Sequence, residues 1–103
     1  MGALATKSLF AVWGQINGAD GATNVAGSGN WAAVRNGAGD YTVTTSTDGL
    51  VDATRCIILA TPRLISTMIA VVAQTDTTIQ FNVENDASVA TDASVDFLVI
   101  RTL

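Results

Sequence analysis

Tyr41, Val43 and Thr45 fall on one side of an extended chain, and Asp40, Thr42 and Thr44 fall on the other. That period of two, behind the glycine-rich turn Asn36-Gly37-Ala38-Gly39, predicts a half-buried antiparallel strand. Thr78 to Glu84 repeats the pattern, with Ile79, Phe81 and Val83 inward and Gln80, Asn82 and Glu84 toward water. Near the C-terminus Val95, Phe97 and Val99 alternate with Asp96 and Leu98, in a last strand read from Ala93 to Leu103.

Other stretches are apolar on both faces. Lys7 to Asn17 sets Phe10, Val12, Gly14 and Ile16 against Leu9, Ala11 and Trp13. Arg55 to Thr61 sets Cys56, Ile58 and Ala60 against Ile57 and Leu59, and Pro62 is expected to stop it. Leu64 to Thr75 is long enough for a helix, but the β-branched Ile65, Thr67, Ile69, Val71 and Val72 argue for strand. A strand of this kind is buried on both faces or turns one face to a partner. Trp31 to Arg35 reads as a short strand, which Asn36-Gly37 turns into the Tyr41 strand. Gly18 to Asn30 reads as a glycine-rich surface loop with one short strand around Val25. Ser46 to Thr54 and Asn85 to Asp92 are polar connections. No stretch carries a helical period. The expected fold is all-β, an antiparallel β-sandwich or jelly roll of about seven to eight strands. It spans residues 9–103 as one domain behind an N-terminal arm, residues 1–8.

Composition sharpens this picture. A chain of 103 residues holds one core. Hydrophobic residues make up 49% and charged residues 14%, where a soluble domain usually has about 25% charged. So few charges predict that other subunits cover part of the apolar surface. The net charge is −4 and basic residues do not cluster, which argues against nucleic acid and against an anionic membrane surface. The apolar runs Cys56 to Ala60 and Met68 to Ala73 are too short to span a bilayer.

Candidate chemistry is sparse. The chain has no histidine, and its single cysteine, Cys56, can form no intrachain disulfide and reads as a small buried hydrophobe. Carboxylates are the only abundant acids; of these the pairs Asp48/Asp52 and Asp92/Asp96 have the sequence proximity considered for a glycosidase couple, and turn formation accounts for all four. Asp48 and Asp52 lack the ligand spacing of a calcium loop, and a transition metal would find neither His nor paired Cys. The expectation is a protein that is not an enzyme, with no catalytic residues, no metal and no cofactor. Trp31 is expected in the core rather than as a sugar platform.

The order of motifs carries a resemblance. The strand Gly37-Ala38-Gly39-Asp40-Tyr41-Thr42-Val43-Thr44 is followed by two apolar strands and then by Thr78-Ile79-Gln80-Phe81-Asn82-Val83. The chain closes on Asp92-Ala93-Ser94-Val95-Asp96-Phe97-Leu98-Val99-Ile100. Over residues 31–103 this resembles the small jelly-roll modules of tailed bacteriophages, found in tail-fibre tips and capsid decoration proteins and similar to the C1q/TNF-type trimeric fold. The resemblance implies a homotrimer whose apolar strand faces meet at a threefold axis. Trp13, Ile57, Leu59, Met68, Ala70, Val72, Leu98 and Ile100 are the expected interface residues. The chain carries no shaft, collagen-like segment or heptads, so the expectation is a free-standing decoration (cement) protein on the exterior of a virion head. Its partner there is the major capsid protein, contacted by Ala3, Leu4, Ala5 and Lys7 of the arm. The alternative is a receptor-binding tip module, taking a glycan through Trp13, Trp31 or Tyr41 and the Gly18 to Asn30 loop.

Overall fold

The structure, a computed structural model, describes residues 10–18, 23–45, 56–75 and 77–101. They form eight strands: β1 (Phe10–Asn17), β2 (Thr23–Gly27), β3 (Trp31–Gly37), β4 (Asp40–Thr45), β5 (Cys56–Pro62), β6 (Thr67–Gln74), β7 (Thr78–Asn85) and β8 (Val95–Arg101). Two four-stranded sheets result, in the orders β2-β1-β8-β5 and β3-β4-β7-β6, and every pairing is antiparallel. The architecture is the antiparallel β-sandwich that the strand pattern predicts. The expected arm, residues 1–8, and the connection Ser46 to Thr54 lie outside the described residues.

Alternation along the four central strands builds the core. Val12 and Ile16 of β1 and Val95, Phe97 and Val99 of β8 point inward from the first sheet. Tyr41 and Val43 of β4 and Ile79, Phe81 and Val83 of β7 meet them from the second. Phe97 joins the two layers. Its ring lies edge-on to Trp31, with centroids 4.8 Å apart at 84°, and 5.9 Å from Phe81. Such edge-to-face pairs add about 0.5–1.5 kcal/mol beyond burial. A Cβ on Gly14 would run into the Trp31 ring, so this aromatic layer requires glycine there.

Several boundaries differ from the sequence reading. The β3–β4 turn sits at Ala38-Gly39 rather than Asn36-Gly37, because Gly37 pairs with Asp40 and Gly39 takes the left-handed φ of 65°. Pro62 does not end its strand but is its last paired residue, opposite Val95. β5 is the edge of its sheet, where a missing N–H costs no ladder bond. The expected strand from Leu64 begins only at Thr67, because Arg63 to Ser66 form a turn in which Ser66 adopts φ 59°.

Most informative is where the two-faced strands lie. β5 and β6 are edge strands, one from each sheet, on the same flank of the sandwich, linked where Gln74 Nε2 donates to the Cys56 sulfur at 2.9 Å. Their inward residues Cys56, Ile58, Ala60 and Ile69 pack on the core yet stay half-buried.

Phe81 is fully buried between the sheets, and Phe81→Ala is expected to destabilise the fold by about 3–5 kcal/mol in urea titration. The exposed Val34→Ala change should alter the unfolding free energy by no more than about 0.5 kcal/mol in the same titration.

Candidate interaction surface

The outer face of the first sheet is apolar across three strands. Register places Trp13 of β1 and Leu59 of β5 on either side of Leu98 of β8, and Ile57 of β5 beside Ile100. Cross-strand neighbours of this kind have Cβ atoms about 4.5–5.5 Å apart, so the five side chains form one patch. Trp13 overhangs an open groove of about 550 Å³ lined by Gly14, Asp96, Phe97 and Leu98. The backbone beneath it is fixed, since the Trp13 carbonyl accepts from the Ser28 amide at 2.8 Å and from Trp31 Nε1 at 3.0 Å. Gln15, Asp96 and Thr61 make the next row, and there the surface turns polar.

The outer face of the second sheet differs. Its centre is closed by its own hydrogen bonds. Asn36 Nδ2 donates to Thr42 Oγ1 at 2.7 Å and Gln80 Nε2 donates to Asp40 Oδ1 at 2.8 Å. Its β6 edge is apolar, where Met68, Ala70 and Val72 line a hollow of about 260 Å³ beside Asn82 and Glu84, and Val34 stands exposed on β3 at the other side.

Of the eight expected interface residues, all point outward. Trp13, Ile57, Leu59, Met68 and Val72 are between 47% and 59% exposed, Ala70 is exposed, and Leu98 and Ile100 are half-buried between neighbours. The structure does not bring them together in one patch: five lie on the first sheet and three on the second. Ala3, Leu4, Ala5 and Lys7 lie outside the described residues. Of the aromatic residues considered for glycan binding, Trp31 and Tyr41 are core residues and only Trp13 is accessible. The Gly18 to Asn30 loop contains β2, paired with β1 from Gly14 to Asn17.

Asp92 and Asp96 are committed to structure. Asp92 takes Arg35 Nε on both oxygens at 3.0 and 3.1 Å, the Gly39 amide at 2.9 Å and the Tyr41 hydroxyl at 3.0 Å. The Tyr41 oxygen in turn accepts from the buried Ala93 amide at 3.1 Å. Hydrogen bonding from Arg35, then from Gly39, holds the Asp92 carboxyl at about 2, while burial pushes the Tyr41 phenol upward. Asp96 is bridged to Arg63 at 2.7 Å. Asp48 and Asp52 lie outside the described residues, and among those described no cluster of His, Cys, Asp and Glu could hold a metal.

Sequence reasoning missed two features. Leu64 and Ile65 sit on the β5–β6 turn rather than in a strand, with Ile65 89% exposed. The Arg35–Asp92–Tyr41 cluster joins residues more than fifty positions apart. A tyrosine on an inward strand position was the available signal, since a buried hydroxyl needs a partner.

The fold and its surface thus define a small antiparallel β-sandwich with apolar outer faces at one flank. Comparison with protein families, curated proteins and solved structures finds no match to the chain.

Tyr41→Phe deprives both the Ala93 amide and Asp92 of a partner, and chemical denaturation should register a loss of about 1–3 kcal/mol. The folded Asp92 carboxyl titrates below its ordinary value, so its stabilisation is complete above 3.8 and is lost as pH falls toward about 2. Asp92→Asn should therefore lower stability at neutral pH and flatten the acid limb of the stability curve in that window. An unchanged acid limb in this variant would show that Asp92 contributes nothing there.

Proposed function

We propose that the chain is a structural protein of a bacteriophage virion, a homotrimeric decoration protein that binds the exterior of the head. One observation carries this reading. Large apolar side chains of β1, β5 and β6 stand in water, in a chain with too few charges to solvate them. Catalysis would call for convergent acids and bases, whereas Asp92 and Asp96 are each held by an arginine. The order of strand motifs, with its resemblance to phage jelly-roll modules, supplies the virion as the setting.

The mechanism is linkage. A protein that binds only the assembled shell stabilises it by mass action, and by bridging neighbouring capsid subunits it resists the pressure of packaged DNA. A covered sheet face suits that role, because a patch of rigid strands loses little conformational entropy on contact.

A receptor-binding tip is the second reading, favoured by Trp13 above its groove. An indole beside Asp96 offers the stacking face and acceptor that a sugar uses. The row Trp13, Leu98 and Leu59 continues the groove with aliphatic groups, which suits a protein neighbour better than a glycan.

Sedimentation equilibrium of the purified chain is expected to give three times the chain mass. The same protein should co-sediment with emptied or expanded heads and raise their survival of heat or osmotic shock. A monomer with no affinity for heads would overturn the proposal, and polysaccharide binding without heads would establish the tip reading instead.

A further inference from the structure

The Asn36-Gly37 pair does not make the β3–β4 turn, which falls on Ala38-Gly39, and so it stays on the strand with its own chemistry. An asparagine before a glycine is chemically labile, because no side chain shields the glycine nitrogen from the asparagine side-chain carbonyl carbon. Two asparagines of the chain precede a glycine, Asn17 and Asn36. Asn24 and Asn82 precede valine, Asn30 tryptophan and Asn85 aspartate.

The structure separates the two. Asn17 is half-buried and paired with Thr23. Gly18 behind it is buried, with no room for a Cβ beside the Ala93 carbonyl and the Tyr41 hydroxyl. Asn36 is exposed, and it is the extra residue of a bulge between the Arg35–Tyr41 and Gly37–Asp40 pairs. A bulged residue leaves the ladder, so its backbone is not locked to the partner strand. The Cβ side of Gly37 is open space, and nothing there stands over the amide that must turn toward the Asn36 side chain.

We propose that Asn36-Gly37 is a self-modification site, at which the folded chain slowly deamidates through a succinimide. Hydroxide takes the Gly37 amide proton, and the nitrogen attacks Cγ of Asn36. The N–Cγ bond forms, the Cγ–Nδ2 bond breaks, and Nδ2 takes a proton from water and leaves as ammonia. Water then opens the ring. Addition at Cγ breaks the new bond and leaves an aspartate. Addition at the main-chain carbonyl breaks the original bond to Gly37 and leaves an isoaspartate. In sum one water is consumed and one ammonia released, with no change of oxidation state.

The neighbours of the site give this step a structural consequence. Asn36 Nδ2 donates to Thr42 Oγ1 at 2.7 Å and to Asp40 Oδ1 at 3.2 Å. A carboxylate in its place cannot donate, and it sets a second negative charge against Asp40 in a chain of net charge −4. The isoaspartate form also lengthens the backbone, at the bulge where the extra atom falls outside the paired register. None of this depends on the virion as the setting.

For the test, the folded chain is held at mildly alkaline pH in water labelled with heavy oxygen, and peptide mapping by mass spectrometry follows each asparagine. Label should enter at position 36 as both aspartate and isoaspartate, at a rate that rises with pH. Asn17 should keep its amide in the folded chain, and both should react in concentrated urea. Gly37→Ala places a methyl beside the attacking nitrogen in open space, so it should slow the reaction several-fold while far-UV circular dichroism shows the fold kept. Should that variant unfold, Asn36→Gln, which must close a larger ring, takes its place with the same expected slowing. An Asn36 amide that persists in the folded chain while urea releases it would overturn the proposal, and so would equal loss at Asn17. Asn36→Asp should unfold at a lower urea concentration than the wild type, with the gap narrowed by salt. Equal stability of that variant would overturn the consequence for the hairpin.

Discussion

Phe97 is the residue on which the two layers agree. It leaves the middle of the first sheet and inserts between Trp31 and Phe81 of the second, and the strands beside it follow from that placement. Gly14 lies opposite Phe97 in the β1–β8 ladder, and only a glycine leaves room there for the Trp31 ring. The Trp31 indole N–H then reaches the Trp13 carbonyl at 3.0 Å, so the packing that closes the core also sets the backbone of the most prominent surface aromatic. Core and surface are mechanically one object. An aromatic anchor on fixed strands gives up little freedom when it is covered, as specific contacts require.

The Asp92 cluster does for the β7–β8 connection what Phe97 does for the sheets. One carboxylate gathers a side chain from β3, an amide from the β3–β4 turn and a hydroxyl from β4. The connection is thereby tied to the second sheet immediately before the chain crosses to the first. Register in β8 is pinned at its start, and a slip of one residue there would turn Leu98 and Ile100 inward and Phe97 out. Hydrogen bonds on one face of the molecule therefore protect the identity of the other face.

The sandwich was legible because its central strands are amphipathic. Tyr41 and Val43, Ile79 to Val83 and Val95 to Val99 alternate cleanly, and every inward assignment in them is buried. The edge strands were legible as strands but not as edges. Cys56 to Pro62 and Thr67 to Gln74 are apolar on both sides, which is also how a doubly buried strand reads, and sheet order is a non-local property. The two indoles were assigned correctly, Trp31 inward and Trp13 outward, and the pairings show why. Both lie on short apolar strands, and only the pairing of β1 with β8 and of β3 with β4 decides that one indole is covered and the other is not. The Arg35–Asp92 pair spans 57 positions and leaves no local trace.

The two edges on the β5/β6 flank are guarded unequally, and that asymmetry bears on how each can meet another strand. β5 ends in Pro62 and is followed by Arg63, so its outer edge is interrupted at one end. β6 has eight residues with neither charge nor proline, and its ladder to β7 is irregular at the register shift between Val71 and Ala73. An uncharged apolar edge of this length, where it is left open, is a ready template for another strand. Pairing of the first strand with the last further delays closure, because loop entropy is lost before those contacts form. A chain with these properties is best served by neighbours that cover β6 as soon as the sandwich closes. Under the proposed self-association, assembly would complete the burial that the sandwich leaves unfinished on its outward apolar residues.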